Sequence, residues 1–139
     1  MRAALLALLP LLALAACRQA PGELQLKDAW IREAPADGPM AGYLRIDNGL
    51  PEALRCDKAS SPDFGAVEIH RSALENGMSR MLRDQVIEVP ARGQALLQPG
   101  DYHLMLFRPQ RPLKAGDSAS VTLLCGSRHA SAEFTVRAP

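Results

Sequence analysis

Two imidazoles and two thioethers are the residues of this 139-residue chain whose types and spacing could do chemistry. They are His70, Met81, His103 and Met105, with ten residues between the first two, twenty-one between Met81 and His103, and Leu104 alone between the last two. Methionine has no part in acid–base or nucleophilic catalysis, whereas thioether sulfur beside imidazole nitrogen suits monovalent copper. A thioether has no proton to lose and cannot form a disulfide. A Met/His set can therefore hold Cu(I) in an oxidising compartment where a thiolate pair would be oxidised. A single Met in a β protein is ordinarily core filler. Here Met78, Met81 and Met105 fall in the stretch 78–105 together with His103, with His70 just upstream, and it is this clustering that points to a metal.

Those side chains must be positioned by strands. No stretch after residue 23 holds a helical period; instead apolar residues alternate in short runs, as at Leu24 and Leu26, Tyr43 to Ile46, Val67 and Ile69, Tyr102 to Leu106, Val121 and Leu123, and Phe134 and Val136. Turn clusters separate them at 34–39, 47–51, 60–65, 75–77, 99–101 and 114–117. Short strands at this spacing predict an all-β sandwich or barrel with Greek-key connections, and eleven prolines fit strand ends and edges better than helices. In Val67-Glu68-Ile69-His70 the alternation puts Val67 and Ile69 on one face and Glu68 and His70 on the other, so His70 is expected to point out of the core. His103 and Met105, two apart on a strand over 101–107, share a face by the same rule. Met81 follows Asn76-Gly77, a hairpin signal that returns the chain towards His70. All four are expected to meet at one end of the sandwich.

The compartment is legible at the N-terminus. Residues 1–16, MRAALLALLPLLALAA, place one Arg before a Leu/Ala run too short for a confident membrane span but right for a signal-peptide core. The run ends in Leu14-Ala15-Ala16-Cys17, which resembles the bacterial lipobox. This predicts cleavage before Cys17, its lipidation, a tether over 17–23 and a folded domain over 24–139. Arg18, where inner-membrane retention commonly uses Asp, favours the outer over the inner membrane, on the periplasmic side. Residues 17–139 carry 15 basic and 15 acidic side chains, since of the 16 basic residues in the chain only Arg2 lies in 1–16. With no basic surplus, nucleic acid is excluded as a partner. Cys56 and Cys125 remain, an even number in an exported chain, which favours a disulfide; two buried inert thiols are the alternative.

The spacing of His70, Met81 and His103-Leu104-Met105 matches, without error, the motif of the periplasmic copper chaperone family called PCuAC. Other segments resemble that family too, among them Asp28-Ala29-Trp30-Ile31-Arg32, Ala41-Gly42-Tyr43-Leu44, Val67-Glu68-Ile69-His70, Gly77-Met78-Ser79-Arg80-Met81 and Pro99-Gly100-Asp101-Tyr102-His103-Leu104-Met105-Leu106. The resemblance implies a cupredoxin-like Greek-key barrel. It also implies His70, Met81, His103 and Met105 as ligands to one Cu(I) per chain, and delivery towards the copper centre of cytochrome c oxidase or a copper-accepting assembly protein. The membrane would be met through the lipid anchor only. Many members carry Met directly after the first His, where this chain has Arg71, a charge expected to stand near the bound cation. Met40 and Met78 are auxiliary donor candidates. The chain stops at Ala138-Pro139, without the His/Met-rich tail that holds a second copper in some members.

Two other functions compete. A blue-copper electron carrier needs a Cys thiolate and two His, usually with an axial Met, and Cys125 with His129 offers a fragment of that set. A metal-free envelope lipoprotein serving as an interaction module would make the Met/His set coincidental. No Ser-His-Asp arrangement, paired carboxylates or open zinc motif is legible, so an enzyme is not expected.

Overall fold

A computed structural model describes residues 22–35 and 38–139. The signal segment 1–16, the lipidation candidate Cys17 and the tether up to residue 21 lie outside the described residues. Ten strands and no helix make up the rest: β1 (Leu24–Arg32), β2 (Met40–Asn48), β3 (Leu54–Ser60), β4 (Phe64–Glu75), β5 (Met78–Leu82), β6 (Ile87–Val89), β7 (Gln94–Leu97), β8 (Tyr102–Pro109), β9 (Ser118–Cys125) and β10 (Arg128–Arg137). The order β4-β8-β2-β1-β10-β9-β3 returns to β4 through an Ala59–Val67 pairing, so seven strands close a Greek-key barrel. Closure pairs these seven strands around a ring, while β5, β6 and β7 each pair with one member of it. β1 and β10 are the parallel pair; the other ladders are antiparallel.

The strands follow the alternation in the sequence. Ile31, Leu44, Ile46, Leu104, Leu106, Val121, Leu123, Phe134 and Val136 are almost wholly buried and fill the barrel. Each is flanked in sequence by residues of the opposite face, as a strand period of two requires. Cys56 and Cys125, Cα partners across β3 and β9, are joined by a disulfide inside this core. It closes a 69-residue separation, worth about 4 kcal/mol on the chain-entropy account. Asn48, the one buried side-chain amide among the described residues, is fully used: its side-chain nitrogen donates to the carbonyls of Glu52 and Pro90 at 2.9 Å, and its oxygen accepts from the Leu50 amide.

One irregularity changes which side chains look outward. In β1 the pairing with β2 slips between Lys27 and Trp30, and Asp28 there has φ +53°, a bulge that inserts one residue and re-aims everything after it. Leu24 and Leu26 pack against the core, and unbroken alternation would send Trp30 there too. The bulge instead puts Ile31 in the core and Trp30 outside, against Tyr43 with ring centroids 4.6 Å apart.

β4 serves two neighbours along one edge. Its first half meets β3 at Val67, and its second half, Arg71 to Glu75, pairs with β5. The hairpin between them turns at Asn76 and Gly77, whose φ of +51° and +77° are what a two-residue Asn-Gly turn demands. β5 pairs with β4 alone and is the most exposed strand of the molecule, Met78 and Met81 included.

Candidate metal centre

The register of three strands brings the four candidates onto one face. On the β4–β8 ladder His70 is the Cα partner of His103 and Glu68 of Met105; on the β4–β5 ladder Ser72 is the partner of Met81. Partners across a ladder share a face, as do residues two apart on a strand. His70, His103, Met105 and Met81 therefore all project from the same side, opposite to Ile69 and Leu104, which belong to the core. His103 lies directly beside His70; Met105 lies one pair towards one end and Met81 one pair towards the other. Diagonal neighbours of this kind stand about 7–8 Å apart at Cα, within reach of long side chains. The four share a face of the barrel, where one end of a sandwich was expected.

His70 points away from the barrel core, as its alternation requires, yet it is 3% exposed, and so is His103. The rings lie edge to face, 5.9 Å between centroids. Phe107 stands 6.2 Å from the His70 ring and Tyr43 6.3 Å from the His103 ring, so the pair sits among aromatic side chains set on the outer face, Tyr43 backed by the re-aimed Trp30. Local alternation gives the direction of His70 but not the cover over it, which comes from residues on other strands.

For neutral rings, the tautomer of each follows from its partners. His103 Nδ1 lies 3.0 Å from the Asp101 carbonyl oxygen, which only accepts, so Nδ1 carries the hydrogen and Nε2 keeps its lone pair. In His70 the arrangement is reversed. Nε2 donates to a Glu68 carboxylate oxygen at 2.7 Å, and Nδ1 is buried with no hydrogen-bond partner. Buried polar atoms are almost always satisfied, and one left alone costs about 1–3 kcal/mol. A lone pair held in this way, with the opposite nitrogen fixed by a carboxylate, is the usual condition of a metal-ligating imidazole.

Glu68 is a participant that the sequence did not flag as part of the site, although its placement on the His70 face was legible. Both its oxygens also accept from Arg83 Nη2, at 3.0 and 2.9 Å. The His70 hydrogen bond first, and Arg83 after it, hold the Glu68 carboxyl below the usual carboxylate range, against partial burial acting the other way.

Three expectations about neighbours are corrected. Arg71 faces away from His70, as successive strand residues must; its Nε donates to Asp101 Oδ1 at 3.0 Å and its guanidinium lies over Tyr102 at 4.9 Å, so its charge is paired and directed off the site. Met40 is in the core, paired with Leu106, and is no auxiliary donor. Met78 pairs with Glu75, three residues from Met81 and so on the other face of the hairpin. The blue-copper fragment fails for a different reason: the Cys125 sulfur is bonded to Cys56 and offers no thiolate.

No group of three or more His, Cys, Asp or Glu among the described residues could hold a metal. Beyond the His pair, the same face carries the thioethers of Met81 and Met105 as further donors. Two neutral imidazoles and two thioethers form an uncharged, soft donor set, which favours Cu(I) over divalent ions that prefer carboxylate or water oxygen.

A family model described as LpqE-like, a lipoprotein family, matches residues 24–139. A protein of Leifsonia xyli subsp. xyli, Lxx21020, which carries a provisional lipoprotein name, is 30% identical over 115 residues, 79% of this chain and 69% of the relative. Among solved structures, the copper-bound PCuAC domain from PmoF2 superposes with TM-score 0.67 at 23% identity, covering 87% of this chain and 97% of that domain. The solution structure of Cu(I)-bound DR1885 from Deinococcus radiodurans gives 0.62 at 23% identity, covering 88% and 83%. At these identities the superpositions show a common barrel.

Proposed function

The chain belongs to the LpqE-like family, and from that premise we propose that it is an exported, lipid-anchored carrier of one Cu(I), held by His70, Met81, His103 and Met105. The observation that carries this reading is the buried imidazole pair with the His70 Nδ1 lone pair unused, flanked on the same face by two thioethers. Copper is the cargo here, and the chain acts as a carrier without catalysing a reaction.

The site is built for transfer as much as for holding. His70, His103 and part of Met105 lie within the barrel surface, whereas Met81 sits on the exposed edge hairpin and is 49% exposed. An acceptor can displace an exposed thioether first, while the imidazoles still hold the ion, so that copper never passes through a free aquo state. Likeness in fold to a copper-bound PCuAC domain and to Cu(I)-bound DR1885 supports the same cargo. Cys17 as lipid anchor would place the carrier at the periplasmic face of the envelope, the outer membrane above the inner. The acceptor we propose is the copper centre of cytochrome c oxidase or a protein that assembles it.

The test is anaerobic titration of the domain with Cu(I), followed by X-ray absorption at the copper edge. One equivalent bound with both sulfur and nitrogen in the shell is expected. A shell without sulfur, or no uptake, overturns the reading.

A further inference from the structure

We propose that Glu68 and Arg83 form a latch that selects which nitrogen of His70 faces the metal and ties the Met81 strand to it. The inference rests on the copper reading above and assigns a positioning role to two residues outside the donor set.

Neutral imidazole has two tautomers, and the choice between them falls to the groups that meet its ring nitrogens. Glu68 does, because an ionised carboxylate only accepts: at 2.7 Å from Nε2 it requires hydrogen there and leaves the Nδ1 lone pair free. The consequence is visible as the buried Nδ1 without a partner. His103 is fixed the opposite way by a backbone carbonyl, so the pair would present Nδ1 from one ring and Nε2 from the other.

Arg83 adds the mechanical half. It follows Met81 by two residues, just past the end of β5, and one of its nitrogens is shared by both Glu68 oxygens. The chain is then tied again at Gln85, whose amide donates to the Ile69 carbonyl at 3.0 Å. Among the described residues β4 is the one strand that β5 pairs with, and an Arg80–Glu75 ion pair at 3.3 Å joins the same two strands. Glu68 therefore touches His70 on one side and, through Arg83, restrains the strand that bears the most exposed donor. Arg83 is 64% exposed, so its ion pair contributes little to overall stability; its effect is local, on where Met81 stands.

Glu68→Gln tests this with little change in shape. A glutamine amide can accept from Nε2–H through its oxygen or donate to a bare Nε2 through its NH2, so it no longer discriminates. Long-range nitrogen–proton correlation spectra of the metal-free chain, recorded well above the ordinary imidazole pKa, should show His70 as the single Nε2–H tautomer in wild type and as a mixture in Glu68→Gln. Cu(I) affinity should fall by about ten- to a hundredfold, the usual effect of removing such a partner. Arg83→Gln should leave the tautomer intact and speed Cu(I) loss to a chelator. An unmixed His70 in Glu68→Gln, or wild-type affinity with a mixed tautomer, overturns the proposal. Failure of the wild-type chain to take up Cu(I) is read separately, since it refutes the metal site whatever the tautomer spectrum shows.

Discussion

Replacing Met81 by Leu separates a metal ligand from a packing residue, because the two roles predict opposite pairs of results. Met81 is 49% exposed on an edge strand, and Leu keeps its apolar volume. The metal-free variant should therefore stay within about 0.5 kcal/mol of wild type. For the domain over 24–139, an unfolding entropy of about 0.24 kcal/mol/K converts that to a Tm change of about 2 °C or less. With copper the expectation differs. Buffered about a hundredfold above the wild-type Kd, Cu(I) should stabilise the native state by about 2.7 kcal/mol, a rise of about 11 °C. If loss of one of four donors weakens binding about tenfold, the same free Cu(I) gives only about 1.4 kcal/mol, a rise of about 6 °C. The assay is thermal unfolding with and without chelator-buffered Cu(I), under a reductant mild enough to spare the Cys56–Cys125 bond. A full copper-induced shift in Met81→Leu would refute ligation by this residue. A drop of many degrees in the metal-free variant would show that Met81 is packing.

Further outcomes can be checked independently. Thiol titration of the denatured, non-reduced domain should find Cys56 and Cys125 unreactive, and the Cys56→Ala/Cys125→Ala double variant should lose about 4 kcal/mol of stability; two free thiols would reject the bond. Cys17→Ser should abolish lipid attachment and release the chain from the membrane fraction, and unchanged fractionation would disprove the anchor. Asp47 gives a pH signature away from the site. Its carboxyl is held below the usual value, first by the Arg45 hydrogen bond and also by Lys27, so its contribution is present above the unfolded carboxylate pKa and is lost as pH falls through the depressed folded value. Asp47→Asn should accordingly destabilise the domain near neutrality, with the difference closing in acid; a difference that grows in acid would contradict the assignment.

Donor chemistry and strand parity were set by the sequence. Thioether and imidazole types suit a soft metal; the one-residue gap between His103 and Met105 puts both on one face; Asn76-Gly77 turns Met81 back towards β4. Apolar alternation likewise gives the β class and most strands. It missed β3 and β6, where the apolar residues are few, Leu54 and Cys56 against Ile87 and Val89. Parity says which side of a strand a residue takes but not which strand lies beside it. That depends on pairings such as His70 with His103, thirty-three residues apart, whose register is fixed by burying Ile69 and Leu104 together. Only the folded chain could therefore bury an outward-facing histidine, turn Arg71 away to Asp101, and send Trp30 outside through the bulge at Asp28. The contact of Arg83 with Glu68, fifteen residues upstream, and the burial of the unpartnered His70 Nδ1 likewise exist only in the folded chain.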